Sequence, residues 1–351
     1  MTIKDIAKKC GISITTVSLV LNHKGEHISK ETKNKIYKAV EELNYQPNQV
    51  AVSMVTKRTN TIGLILPDIS DLFYSSFAKE IERKFSEKNY NVIYGNTLSC
   101  FDTCMEYLHI FQKRNVDTIV IVYPDYAMTE AQKKRLNSFF DFSNTPVLWI
   151  DRGLLRKEES VVSVNQKMGG CLAVKHLIEL GHTRIGCICG PHDSKISQER
   201  LKGYKETLNN AGISYDSQLV YHGEFDIESG SRGIEELLKY GITAVFACND
   251  MMALGVYVQS RKMNFQIPEQ LSVVGFDNVY LTGALEPPLT TIVQPIDELS
   301  EKIVSCALEL INEKRYEHVV MNPSLKVRSS TAHPVMIKTC LLYTSDAADD
   351  M

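Results

Sequence analysis

Thr15, Thr16 and Ser18 stand in the stretch ITTVSLVLN, Ile14 to Asn22, which holds no charge. Hydroxyls and methyls crowded on a short helix suit the edges of nucleic-acid bases. Thr and Ser bond to either base type, and methyls pack on the thymine C5-methyl. A second polar set follows apolar runs: Asp68 after TIGLILP, Asp151 after PVLWI, Asn249 after TAVFAC and Asp277 after LSVVGF. In open α/β sheets, ligands bind beyond the carboxyl ends of the strands. These four, with Arg200 in RLKGY, can converge on a small polar ligand. The chain has no P-loop, no GxGxxG after its first strand, no HExxH and no GxSxG elbow. No catalytic residue, metal ligand or cofactor is therefore assigned.

The elements that must carry the first set are short helices. Residues 2–11 read as a helix with Ile3, Ile6 and Ala7 inward, ended by Gly11. Ser13 can cap the next helix, whose stripe is Val17, Val20 and Leu21. Ser29 caps a third, with Ile36, Ala39, Val40 and Leu43 inward, and Pro47 halts it. Three short helices with a Gly turn between the first two form the helix-turn-helix pattern. Residues 48–58, NQVAVSMVTKR, are too few to make a stable helix alone.

From Thr61 the pattern changes to apolar runs alternating with amphipathic helices. The runs are TIGLIL, NVIYG, TIVIVY, PVLWI, RIGCICG, TAVFAC and LSVVGF. The helices are expected near 75–89, 102–115, 131–140, 166–180, 198–211, 230–240, 250–262 and 296–314. This alternation means parallel, doubly wound sheets. About ten such units exceed one compact sheet, so two similar lobes are expected, with the chain crossing between them more than once.

The totals agree with a globular chain. It has 351 residues, 44% hydrophobic and 23% charged, which excludes a disordered or collagen-like polymer. No apolar run is long enough to span a membrane, and the start lacks a signal-peptide core, so a cytoplasmic location is expected. Nine cysteines, at 10, 100, 104, 171, 187, 189, 248, 306 and 340, show no paired zinc spacing and read as buried free thiols. Charge is uneven: residues 1–60 carry +5 and the remainder −8. A basic head on an acidic body suits a polyanion partner for the head alone.

The motifs together resemble the lactose repressor/galactose repressor family of transcription regulators. The head shows TIKDIAKKCGISITTVSLVLN and ISKETKNKIYKAVEELNYQPN. The body shows TIGLILPDISDLFYSSFAKEIE, HLIELGHTRIGCICGP, RLKGY, FACNDMMALGVY, LSVVGFDNVYLTGALEPPLTTIVQP and VRSSTAHP, and the match runs from about residue 2 to 335. The resemblance implies an all-α helix-turn-helix head, a hinge helix and a two-lobed α/β core like periplasmic sugar-binding proteins. The expected boundaries are 1–46 for the head, 47–60 for the hinge and 61–339 for the core. Lobe 1 would hold about 61–161 and 291–321, and lobe 2 about 162–290 and 322–339. The partners implied are a palindromic double-stranded operator, a small effector and a second copy of the chain.

The resemblance places Ile14, Thr15, Thr16 and Leu19 toward DNA, with Ser18 suited to phosphates; Asn22 is grouped with them. Family members often carry Arg or His where Leu19 stands, so an apolar neighbour such as a thymine methyl is expected there. Packing under the third helix is the other reading of Leu19. Met54 takes the position of a hinge leucine that wedges into the minor groove, a role methionine can fill; its alternative is an adaptable filler. In sugar-responsive relatives, residues matching Arg200, Asn249 and Asp277 hold sugar hydroxyls. Asp151, the aromatic Phe225, and Phe73 with Tyr74 match further pocket residues.

Bland readings stand beside these: Asn249 or Asp277 as caps, Arg200 as a structural ion pair, Phe225 as core. Trp149 is expected in the core, and Asp250 as the cap of the following helix. The Arg/Asp/Asn set with aromatics suits a neutral sugar; a purine or a sugar phosphate is the alternative effector. A sugar transport receptor or a sugar-acting enzyme are rival readings of the whole. The tail CLLYTSDAADDM, 340–351, fits no core pattern, resembles a translated library adapter, and is set aside. It holds no leucine heptad, so a dimer is expected.

Overall fold

The computed structural model describes residues 1–21, 25–45, 53, 56–122, 128–151 and 159–334. Asn22, Met54, most of the expected hinge and the tail from 340 lie outside that set.

The head is three helices: α1 (Ile3–Cys10), α2 (Ile14–Leu21) and α3 (Lys30–Glu42). Gly11 ends α1 with φ 66°, a left-handed turn that costs glycine little. Ile6, Ala7, Val17, Val20, Ile36 and Ala39 close a small core between them. Burial of these side chains, rather than propensity, holds helices this short.

The core alternates strand and helix. In chain order it runs β1 (Thr61–Leu66), α4 (Leu72–Ser86), β2 (Asn91–Asn96), α5 (Phe101–Lys113), β3 (Thr118–Val122), α6 (Glu130–Phe142), β4 (Val147–Ile150) and β5 (Ser160–Val164). There follow α7 (Gln166–Glu179), β6 (Ile185–Cys189), α8 (Lys195–Asn210), β7 (Val220–His222), α9 (Ile227–Leu238), β8 (Ala244–Ala247), α10 (Asp250–Lys262) and β9 (Ser272–Asp277). The last elements are β10 (Thr290–Val293), α11 (Ile296–Glu313), β11 (His318–Met321) and β12 (Ser324–Lys326).

These strands make two six-stranded sheets, ordered β11-β5-β4-β3-β1-β2 and β12-β10-β9-β8-β6-β7. Pairing is parallel except between β10 and β12. The chain crosses between lobes after β5, after β10 and between β11 and β12. The first two crossings thus fall after Val164 and Val293, a few residues past the expected 161 and 290. The alternating β5 pattern, SVVSV, hides a strand whose residues face both a packed and an open side.

Each sheet is covered on both faces. In lobe 1, α4 and α11 pack on one face around Phe77, Ile81, Leu64 and Ile303, while α5 and α6 cover the other around Leu108, Phe111 and Trp149. In lobe 2, α7 pairs with α8 and α9 with α10. The α7–α8 contact is backbone-close: a Cβ on Gly170 would lie 2.3 Å from the Arg200 carbonyl oxygen. That approach sets where Arg200 enters the space between the lobes. Among the described residues, no helix is long and apolar enough to cross a membrane.

Candidate functional site

Two sites emerge, one on the head and one between the lobes. On the head, Ser13 begins α2 by accepting from the Thr16 N–H at 3.0 Å, and its Oγ lies 2.8 Å from Thr16 Oγ1. Ile14 is 44% exposed at the helix start, and Thr15 beside it is exposed. Thr16, Ser18 and Leu19 are half-buried, whereas Val17 and Val20 are buried. Among the described residues, Leu19 is not one of the side chains packed against the head's core cluster. Lys9 is tied to Glu42 at 2.5 Å, joining α1 to the end of α3.

Below the head, the chain enters lobe 1 through a set of anchors. Arg58 Nη2 donates to the Ile311 carbonyl at 2.8 Å and to Asn312 Oδ1 at 3.1 Å, at the C-terminal end of α11. A guanidinium there also meets the negative end of the helix dipole. Asp117 accepts from the backbone N–H groups of Thr59 and Asn60 at 2.8 and 2.9 Å.

Between the lobes lies a cleft of about 860 Å³. Phe73, Tyr74, Asp151, Arg200, Phe225, Asn249 and Asp277 all line it, as do Asp68, Asp71, Gln294 and Asp193. Strand ends of both sheets deliver these residues, as the rule for open α/β sheets requires. Asp71 starts α4 by accepting from the Phe73 and Tyr74 N–H groups at 2.8 and 3.2 Å, so the cap also orients the two aromatics. Phe73 stacks on Phe77, with ring centroids 6.1 Å apart.

Arg200 is the hub. Its guanidinium lies 3.6 Å over the Phe276 ring, donates from Nε to Gln166 Oε1 at 2.9 Å, donates from Nη1 to the Cys248 carbonyl, and places Nη2 3.5 Å from Asp277 Oδ1. Gln166 Nε2 reaches Asp151 Oδ1 at 3.4 Å, and Gln294 Nε2 donates to Asp277 Oδ1 at 2.7 Å. A polar chain therefore runs from Asp151 on lobe 1 through Gln166 and Arg200 to Asp277 on lobe 2. Gln294 lines the cleft, and among the described residues its buried Oε1 has no partner.

Four described cleft residues hold left-handed backbone without being glycine: Ser99 at φ 55°, Asp151 at 61°, Phe225 at 63° and Asp277 at 109°. Such conformations cost about 1–3 kcal/mol each and collect at ligand sites. Burial pushes the Asp277 carboxyl up to about 7, against the opposing pull of Arg200. Burial likewise raises Asp71, and Asp250 more strongly.

Asn249 is the cap that one reading of it expects, and it also lines the cleft. Its Oδ1 caps α10 by accepting from Met252 N–H at 2.8 Å, and its Nδ2 donates to the Phe225 carbonyl at 2.8 Å. Asp250 is not the cap. It is buried, accepting from Val279 N–H at 2.8 Å and Thr291 Oγ1 at 2.6 Å. Asn249 carries the extended φ that a cap needs, and Asp250 is already helical. The Phe225 ring lies over Gly190 and packs on the lobe 2 core, as its core reading expects, while the residue also lines the cleft. Trp149 is core.

Residues 2–48 match the bacterial regulatory proteins of the lacI family, and 174–331 match a periplasmic binding protein-like domain. The HTH-type transcriptional repressor PurR of Vibrio vulnificus is 33% identical over 333 residues, covering 94% of this chain and 98% of that protein. The chain belongs to the lacI family. Its fold agrees: the lac repressor dimer bound to operator and an anti-inducer superposes with a TM-score of 0.83, at 27% identity, over 95% of this chain and 99% of that one. The transcriptional regulator CelR in complex with cellobiose matches with a TM-score of 0.70, at 28% identity, over 94% and 99%. This lacI-family chain is accordingly a DNA-binding transcriptional regulator and not an enzyme.

Sequence reading missed Gln294 and Asp71 in the regulator's cleft, and Gln166 buried behind it. Gln294 follows the run TTIV by the same strand-end logic that found Asp277, and Asp71 precedes an apolar helix start. Gln166 carries no local signal, since its role comes from two lobes meeting. The expectation that the cysteines are buried holds for Cys10, Cys104, Cys187, Cys189, Cys248 and Cys306, but Cys100 is exposed and Cys171 half-buried.

Proposed function

We propose that this regulator is a cytoplasmic, dimeric repressor of carbohydrate-use genes, and that a neutral sugar in the cleft switches its grip on a palindromic operator. The composition of the cleft wall carries this reading. Among the described residues, Asp68, Asp71, Asp151, Asp193, Glu224, Asp226, Glu228 and Asp277 line it beside one cation, Arg200. Carboxylates accept from hydroxyls and repel phosphates, while Phe73, Tyr74 and Phe225 supply apolar faces. Among the described residues, a sugar phosphate meets eight acids and one arginine.

On the head, Ile14, Thr15, Thr16 and Leu19 read base edges in the major groove, and Ser18 and Asn22 position the backbone. Met54 of each hinge wedges the central minor-groove step. The lever is mechanical: Arg58 and Asp117 fasten the linker to lobe 1, and the Asp151–Gln166–Arg200 chain ties lobe 1 to lobe 2. An effector moves the equilibrium only by binding one lobe arrangement better than the other.

Thermal denaturation of the purified chain with neutral mono- and disaccharides, sugar phosphates and purine bases tests the effector class. The reading expects a neutral sugar to raise Tm and to shift operator affinity measured by fluorescence anisotropy. A response to sugar phosphates alone overturns it. A purine base is the second reading, favoured by the three aromatics and by the similarity to the repressor PurR; a purine-only response would establish it.

A further inference from the structure

We infer that lobe 2 holds a buried three-cysteine site for a soft, low-coordinate d10 metal ion of the Cu(I) type. This proposal is independent of the effector reading. Cys187 and Cys189 occupy alternate positions of β6, so they share one face. Cys248 follows β8, which pairs with β6 in the register Ile188↔Ala247, so it stands beside Cys189 on the same face. The Cys248 N–H donates to the Ile188 carbonyl at 2.8 Å, fixing that placement.

The three sulfurs are 3.3, 3.8 and 3.9 Å apart. A point equidistant from them lies about 2.1 Å from each, close to the thiolate–metal distance of about 2.3 Å seen at zinc. All three residues are fully buried. Among the described residues, no further His, Cys, Asp or Glu ligand atom joins them within 4.8 Å of the whole set. His222 pairs in register with Cys189, but its Nδ1 is turned to the Gly190 carbonyl at 3.2 Å. Zinc sites close with four ligands; three thiolates in a dry pocket fit a softer ion that accepts threefold coordination.

Each sulfur that coordinates the ion releases its proton to solvent. Arg200, whose Nη1 donates to the Cys248 carbonyl, offsets part of the negative charge that the thiolates bring. Three buried thiols acting only as small apolar fillers is the competing account.

The test uses the full chain, reduced and free of oxygen, titrated with Cu(I) against a chromophoric Cu(I) chelator. The proposal expects one equivalent withdrawn from the chelator, and X-ray absorption of the loaded wild-type protein showing three sulfur ligands. Cys189→Ala and Cys248→Ala should each abolish that capture, and Cys100→Ser should leave it intact, with melting curves confirming folded protein. No capture by the wild type overturns the site, as does coordination by two sulfurs or by nitrogen and oxygen. Capture of Zn(II) from a zinc chelator with none of Cu(I) also overturns it. The absorption measurement needs no variant, so it decides the matter even where an alanine variant unfolds.

Discussion

Asn249 donates from Nδ2 to the Phe225 carbonyl at 2.8 Å while its Oδ1 caps α10 at Met252 N–H, also at 2.8 Å. One buried amide thus holds a helix start and the strained turn that presents an aromatic ring to the cleft. Asn249→Ala removes both bonds and should cost about 1–2 kcal/mol. Asn249→Asp keeps the cap acceptor but cannot donate to Phe225. It should therefore melt nearer the parent than the alanine variant does, yet bind effector as poorly. Melting curves and calorimetric effector titrations on both variants check the split; equal melting temperatures for the two would count against it.

Asp277 gives a signed pH dependence. Its carboxyl titrates near 7 in the fold against an ordinary value of 3.8, because burial disfavours the charge. Between those values the folded chain holds a proton that the unfolded chain has lost. Stability from this group is therefore complete below about pH 4 and declines as pH rises through 7. Asp277→Asn should flatten the fall in unfolding free energy between pH 4 and 7. Asp71 and Asp250, both raised by burial, keep a residual slope. Denaturant melts across that pH range provide the measurement.

Much of this architecture was legible in the sequence because its signals are local. Apolar runs marked β1, β3, β6, β8 and β9, and polar residues at their ends marked most of the cleft. Helix starts were less legible. Those of α4, α8 and α9 fall three residues earlier than periodicity suggests, because Asp71, Ser194 and Asp226 cap first turns whose residues do not yet follow the apolar stripe. The short edge strands β7, β11 and β12 have three or four partly exposed residues and no apolar run to announce them. Gln166 and the Cys187–Cys189–Cys248 triangle depend on contacts between segments far apart in the chain, which spacing does not encode.

The head offers a specificity test. Thr15 is exposed near the start of α2 and Leu19 lies outside the head core. Thr15→Ala should weaken binding to the selected operator by about 1–3 kcal/mol, as loss of a base-edge contact does, with its salt dependence unchanged because no phosphate contact is lost. Leu19→Arg should recover sequences carrying guanine where the parent selects thymine. Selection from random palindromic duplexes at two salt concentrations reads both effects. An unchanged selected sequence for Leu19→Arg would remove Leu19 from the reading face.

Arg58 isolates the lever from the sites it connects. Its two hydrogen bonds to Ile311 and Asn312 are made in lobe 1, remote in sequence from both the reading helix and the cleft. A half-exposed guanidinium tie of this kind contributes about 1 kcal/mol to stability, so Arg58→Ala should fold and should bind effector as the parent does. What it should lose is transmission. Without the tie, a change in lobe 1 orientation reaches the linker only through Asp117 and its bonds to Thr59 and Asn60. The effector-induced change in operator affinity should shrink several-fold, and Arg58→Ala combined with Asp117→Ala should shrink it further. Operator titrations with and without saturating effector measure the coupling directly. A full effector response in the double variant would mean that the signal travels by contacts other than this anchor.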